Sequence, residues 1–300
     1  MPATPWVPAG LLLSYADHPA IFQADAASLH GQRSYLRAVL TRLLFALLAA
    51  AAAVFTVRIG SKRTDIFAIV TMVAFMAALA VDVMMLRDRP NRIWYQGRVL
   101  AESVKTLTWR YVTGGMPFPA DMSSTQADSL FLQRLHELRR DLPDLPLVPS
   151  QGDEITEPMH ALRYSSLSHR KHAYLNDRIT DQQRWYTSKA EFHKKRAALF
   201  RALTIILEAV GVFGALAKAT GLVNFDLAGI VAAAVASLTA WSATRQHATN
   251  ANAHTLATHE LGLARETLRR VQDEAAWARA VADAEAAISR EHSSWRSSHS

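Results

Sequence analysis

Residues 38–57, AVLTRLLFALLAAAAAVFTV, are followed after a short polar break by residues 64–86, TDIFAIVTMVAFMAALAVDVMML. The arrangement returns at 198–217, ALFRALTIILEAVGVFGALA, and 225–244, FDLAGIVAAAVASLTAWSAT. Leu43 to Val57, Ile66 to Val81 and Leu227 to Ala243 hold no charged side chain. A bilayer core of about 30 Å is crossed by roughly 20 helical residues, so each run spans only if it includes a polar flank. Arg42, Asp82, Arg201, Glu208 and Asp226 then lie at or inside the membrane boundary. Runs of this length also occur as greasy helices of soluble bundles, but those keep a polar face, and Ala46–Val57 and Ile66–Val81 have none. The expected fold is an all-α membrane protein built from two fused two-transmembrane hairpin units with long cytoplasmic helices.

Outside the runs the chain is strongly charged, with a net charge of +7 and no cysteine. Without cysteine there is no disulfide scaffold, Cys-ligated metal or Cys nucleophile, and the soluble portions suit a reducing cytoplasm. Residues 1–30 hold no Lys or Arg ahead of the short apolar Leu11–Leu13. A secretory leader is therefore not expected, and the first hairpin itself is expected to drive insertion. Arg33, Arg37, Arg87, Arg89, Arg92 and Arg98 flank the first pair on the side of the termini, and Lys189, Lys194, Lys195, Arg196 and Arg245 flank the second. Arg58, Lys62 and Arg63 sit at the first tip, whereas Thr220-Gly221-Leu222 at the second is uncharged. The positive-inside rule then places both termini and the middle segment in the cytoplasm of a bacterial inner-membrane protein.

The chain reads as a duplication. Gln32-Arg33-Ser34-Tyr35 precedes the first pair and Gln183-Arg184-Trp185-Tyr186 the second. After the first pair, Ile93, Gly97, Leu100, Val104, Leu107 and Tyr111 recur at spacings of four and three; after the second, Ala257, Leu261, Ala264, Leu268, Val271 and Ala275 do the same. That rhythm is the seam of packed helices, and Glu102–Leu107 matches Glu266–Val271 in phase and charge. Three domains follow: 1–113, a two-span unit with its return helix; 114–157, an amphipathic helix and linker; and 158–300, a second two-span unit with a long C-terminal helix. Gly114-Gly115-Met116-Pro117 ends the first return helix. A helix over 123–141 opens at Ser123 or Ser124, with Leu130, Phe131, Leu135 and Leu138 as its apolar face. Pro143, Pro146, Pro149 and Pro158 bracket a linker, and one long helix from about 159 to 197 feeds the third span.

Three stretches carry a resemblance. Trp94-Tyr-Gln-Gly-Arg-Val-Leu-Ala-Glu-Ser-Val-Lys-Thr-Leu-Thr-Trp-Arg-Tyr111 resembles the return helix of the SLATT superfamily of bacterial two-transmembrane domains. Tyr174-Leu-Asn-Asp-Arg-Ile-Thr-Asp-Gln-Gln-Arg-Trp-Tyr186 resembles its pre-membrane helix, and Ala287-Ile-Ser-Arg-Glu-His-Ser-Ser-Trp295 its C-terminal end. Together the likeness covers the chain in tandem except 114–157. The family is associated with cyclic-oligonucleotide synthases and nucleotide-sensing domains in bacterial defence operons. The resemblance implies a membrane effector that forms or opens a pore once infection is sensed. No sensing domain is visible, so the implied trigger is a nucleotide messenger or an operon-encoded sensor protein.

An ion path would be lined by polar residues within the spans. Arg42 and Asp82 fall at similar depth on opposite arms of the first hairpin and are expected to form an intramembrane ion pair, because membrane charges pair where they can. Glu208 lies near the middle of span three, where span four offers only Ser237 and Thr239. It either lines a pore as a ring in a homo-oligomer, favouring cations, or stays protonated and bonds helix to helix. Gly211 and Gly214 on span three, facing Gly229, Ala233 and an alanine stripe at Ala228, Ala232, Ala236 and Ala240, allow close helix approach. Trp94, Tyr95, Trp185 and Tyr186 are expected as anchors in the lipid headgroup layer.

Enzyme signatures are weak. His169 with His172, and His254 with His259 and Glu260, lack the zinc-protease pattern, and Gly114-Gly115 is followed by no Lys-Ser/Thr helix start. No enzyme activity and no cofactor are expected. The basic run Lys189–Arg196 suits an anionic lipid surface better than direct nucleic-acid binding. The expected function is an oligomeric pore-forming or permeabilising defence effector. The alternative is a membrane-anchored scaffold whose helical stalk recruits a cytoplasmic partner.

Overall fold

A computed structural model describes residues 19–60, 63–142, 145 and 153–297 of the 300-residue chain. Leu11–Leu13, Lys62, Pro143, Pro146 and Pro149 lie outside the described residues. The elements are α1 Pro19–Ala53, a short ladder β1 Arg58–Ile59 and β2 Thr64–Asp65, α2 Ile66–Asp88, α3 Pro90–Thr113 and α4 Ser124–Arg140. Then come α5 Glu157–Arg163, α6 Leu167–Ala173, a π-helical stretch Tyr174–Thr180, α7 Asp181–Ala219, α8 Leu227–Arg245, α9 His247–Arg270 and α10 Glu274–Ser297. Among the described residues four helices are long and apolar enough to cross a membrane.

Contacts divide the chain into two units. The first comprises residues 1–32, 91–190 and 252–300, the second residues 33–90 and 191–251. In the second unit the first hairpin turns at a two-residue ladder, Arg58 opposite Asp65 and Ile59 opposite Thr64. Gly60 supplies the positive φ of 79° that the turn needs. Asp65 then caps α2, accepting from the amides of Phe67 at 3.0 Å and Ala68 at 3.3 Å. Asp226 caps α8 in the same way through the Gly229 amide.

The far ends of these two descending helices also match. Arg89 ends α2 in the left-handed region at φ 43°, ψ 51°, and its amide donates to Met85. Gln246 ends α8 at φ 46°, ψ 41°, and its amide donates to Ser242. Neither residue is glycine, so each holds a conformation that side chains disfavour. Each kink starts a return helix, α3 in the first half and α9 in the second. Measured from the kinks, Glu266–Val271 lies about two helical turns further out than Glu102–Leu107. The heptad phase of the sequence match is kept and its register is not.

The spans expose their apolar side chains: Leu79 is 63% and Phe213 70% accessible. Such a surface belongs in lipid, and the chain is a membrane protein. Along the first hairpin the small residues Ala49, Ala52 and Ala74 are buried.

The first unit has a conventional core. Trp109, Tyr111, Phe118, Phe131, Tyr174, Tyr186 and Trp277 are its large buried side chains. α4 opens at its Ser123 cap and buries Ala127, Phe131 and Leu135. Two expected long helices are interrupted. The 159–197 segment breaks at Tyr164, because Ser166 caps a new helix by accepting from the His169 amide. The C-terminal helix breaks at Arg270, and Asp273 restarts it by accepting from the Ala276 amide at 2.8 Å. The apolar rhythm continues through both breaks, which is why periodicity alone hides them.

Two arginines and an indole donate to carbonyls at and just beyond the end of α3. Arg163 donates to Tyr111 O at 2.8 Å and Phe118 O at 3.0 Å. Arg170 and the Trp277 indole both donate to Thr113 O at 2.8 Å.

Candidate membrane site

In the first hairpin Arg42 Nε lies 3.2 Å from Asp82 Oδ1. Thr71, further along the same pair of helices, donates to Phe67 O at 2.9 Å within its own helix and approaches Ala49 O at 3.5 Å on the other arm. The ion pair therefore bridges two antiparallel arms.

The second hairpin is set by two glycines. A Cβ on Gly211 would meet Val231 Cγ1 at 3.3 Å, and one on Gly214 would meet Leu227 Cδ2 at 3.1 Å. Leu227 and Val231 are thus the knobs that fill the glycine notches, a different face of α8 from the alanine stripe. Ala232, Ala236 and Ala240 are exposed, and Ala228 and Ala233 are half-buried. A rotation of one residue along a helix, about 100°, separates the two faces. Gly229 is not a packing residue: it is exposed, and an added Cβ would lie 2.8 Å from Asp226 Oδ2 of its own helix cap.

Continuing that register sets Glu208 level with Ala234 and places Ser237 about one turn away. Glu208 is exposed and, among the described residues, has no hydrogen-bond or ion-pair partner. Ser237 is half-buried and Thr239 exposed. The three polar positions do not converge within one chain.

The aromatic residues divide. Trp94, Tyr95 and Trp185 are half-buried in the first unit. Tyr186 is not a headgroup anchor: it is 1% exposed, in the core, with His254 and Trp185 rings 5.5 Å and 5.0 Å away. Its contact with the His254 ring holds it against α9. His169, His172 and His259 are exposed and His254 is buried among those aromatics. Among the described residues no group of three or more His, Asp or Glu could hold a metal ion.

Basic residues near the second hairpin lean on rings. Lys189 Nζ sits 5.7 Å from Trp185 in the first unit. In the second unit Arg196 stacks 5.5 Å from Phe192 and Arg245 5.9 Å from Trp241.

No sequence motif announces the fully buried carboxylate of Glu285. Glu285 on α10 is fully buried and accepts from Arg178 Nε at 3.0 Å, Arg178 Nη2 at 2.8 Å, Tyr174 OH at 2.9 Å and Thr106 Oγ1 at 2.8 Å. Tyr174 and Arg178 lie four residues apart on the π-helical stretch Tyr174–Thr180 and both reach this carboxylate. Burial and the neighbouring Glu285 carboxylate push the Tyr174 hydroxyl well above its ordinary pKa of 10.0. The available signal was a lone carboxylate inside the apolar stripe Trp277, Val281, Ala284, Ile288.

Two family models match the chain. The one described as SMODS and SLOG-associating 2TM effector domain 3 covers residues 19–171, running through the 114–157 segment; domain 1 of the same series covers residues 174–295. No curated protein and no solved structure matches the chain. Four membrane-length helices among the described residues, arranged as two hairpins, agree with two such two-transmembrane domains, and the chain belongs to the SLATT family of two-transmembrane effector domains, present here in tandem.

Proposed function

We propose that this protein is a pore-forming or membrane-permeabilising effector of a bacterial defence system, working as a homo-oligomer in the inner membrane with both termini cytoplasmic. It catalyses no reaction. The observation that carries this reading is Glu208: an exposed carboxylate in the middle of a span, without a partner among the described residues of its own chain. An ionisable group facing hydrocarbon costs on the order of 3 kcal/mol by insertion scales, so such a residue is retained where it meets water or another chain. Four spans from one chain enclose little volume, and both needs are met if several chains surround a path with Glu208 turned toward it. The exposed face at Ala232, Ala236 and Ala240 fits close approach of neighbouring chains. The trigger is a nucleotide messenger or a separately encoded sensor, in keeping with the name of the matched family.

The test is release of a trapped dye, and of Na⁺ or K⁺, from liposomes holding the purified full-length protein, with and without cyclic oligonucleotides. Leakage that depends on protein supports the effector. Vesicles that stay tight under every trigger make the spans anchors and leave a scaffold that recruits a partner through its helices.

A further inference from the structure

The base of the second hairpin gathers cations that the effector reading does not use. α7 brings Phe192, His193 and Arg196; α8 and the first residue of α9 bring Trp241, Arg245 and His247. His193 Nδ1 and His247 Nδ1 are 2.8 Å apart, so one ring donates to the other. That contact ties α7 to the kink at Gln246 and fixes Arg245, which immediately precedes it. Arg196 lies over Phe192, and Phe192 meets the His247 ring at 6.2 Å. Burial first, and then the charges of Arg245 and Arg196, lower the His247 pKa to about 4.

Among the described residues neither arginine has a carboxylate within ion-pair distance. Arg196 on the Phe192 face and Arg245 on the Trp241 face bring two guanidinium groups to the same hairpin base, an arrangement that an anion bound there would stabilise. Their planar N–H forks match a phosphate, which each can bind bidentately. The cluster straddles the start of span three and the end of span four, the level at which lipid headgroups lie. The area is also well suited to anionic lipid by sign of charge.

We propose that Arg196 and Arg245, positioned by the His193–His247 contact, form a binding site for the phosphate of an anionic phospholipid headgroup. The site stands whether or not the protein conducts, since it rests on the membrane hairpin alone.

The test uses the full-length protein in neutral detergent, its thermal unfolding followed while phosphatidylglycerol or phosphatidylcholine is titrated in, and separately with inorganic phosphate or ATP. Phosphatidylglycerol should raise the unfolding temperature and phosphatidylcholine should not. In R196Q/R245Q the half-saturating lipid fraction should rise by about tenfold, whereas K194Q/K195Q, which removes the same charge from exposed neighbours, should leave it nearly unchanged. R196K/R245K keeps charge and fold and should fall between, because lysine lacks the fork. Equal weakening in both glutamine double variants would mean diffuse attraction and overturn the site. Equal stabilisation by both lipids would overturn it too. A shift produced by ATP or phosphate alone, and lost in R196Q/R245Q, would overturn the lipid as the source of the phosphate.

Discussion

Arg178 and Glu285 close a bidentate ion pair inside the first unit, at 3.0 Å and 2.8 Å, and neither side chain reaches solvent. Tyr174 and Thr106 donate to the same carboxylate, so both oxygens are doubly served. Thr106 belongs to the first family-matched stretch and the other three residues to the second. One buried group thus ties together the two domains that the sequence repeats.

Breaking that pair from one side leaves a buried charge without compensation. Arg178→Met or Glu285→Leu should each cost about 3–5 kcal/mol, and the double change clearly less than the sum, since a buried pair removed whole can be close to neutral. Tyr174→Phe should cost about 1 kcal/mol. Chemical denaturation of the full-length protein in detergent measures all four; strict additivity of the two single changes would show that the pair is not coupled.

Alkaline pH should loosen the same unit. Tyr174 is raised by burial and by Glu285. Burial works against the Lys105 ammonium, but Glu102 and Asp25, 3.2 Å and 3.3 Å away, outweigh it and hold its pKa above the ordinary 10.5. A raised folded-state pKa gives stability that is complete below the unfolded value and is lost as pH climbs through the folded one. Burial raises Asp25 as well, so that carboxyl adds stability only in acid and does not set the alkaline edge. The unfolding temperature should be flat from neutral pH to about 9.5 and fall beyond about 10, with a shallower fall in Tyr174→Phe. A decline beginning near neutrality would assign the edge to other groups.

At Gly97 the backbones of α3 and α1 approach closely. A Cβ there would stand 2.6 Å from Ser28 N and 3.0 Å from Ala24 O, both main-chain atoms of α1 that cannot swing aside. Gly97→Ala should cost about 1–3 kcal/mol or more as α1 and α3 are forced apart. Gly262→Ala is the control: its nearest neighbour is the flexible Gln183 amide at 3.5 Å, and the change should be neutral or gain up to about 1 kcal/mol of helix propensity. Equal effects at the two sites would mean that α1 and α3 do not touch here.

Arg42 and Asp82 should behave as partners during insertion. Either single alanine change is expected to lower the yield of membrane-inserted protein more than the double change does, because one unpaired charge in a span is worse than none. Additive losses would separate them.

The hairpins were legible because hydropathy registers composition, and Asp65 and Asp226 stand directly before their apolar runs, where a helix cap belongs. Faces were less legible. Which residues of α8 meet α7 is decided by a rotation of one position, and composition favoured the alanines over Leu227 and Val231, which make the contact. Gly229 looked like a packing notch although its place three residues after Asp226 is that of a capped amide. Tyr186 looks interfacial in the sequence because aromatic residues near span ends so often are, yet it packs against His254 in the core and is buried. Arg178 and Glu285 lie 107 residues apart, and no local pattern joins them.

Glu208 decides between a working membrane domain and an anchor. It is exposed on α7, level with apolar Ala234, and its chain gives it no partner among the described residues. If it lines a path as a ring of carboxylates, Glu208→Gln removes the charges yet keeps size and hydrogen-bonding ability, so the protein should still insert and assemble. Cation over anion preference, read from the reversal potential of reconstituted protein in a salt gradient, should then fall severalfold, and toxicity on expression should change with it. If the carboxyl instead stays protonated and bonds one helix to another, glutamine can take over that bond. Conductance and selectivity would then match the parent, and Glu208→Leu would be the variant that disrupts assembly. Unchanged selectivity in Glu208→Gln together with loss of the oligomer in Glu208→Leu would therefore make Glu208 structural and move the path, if there is one, to another face.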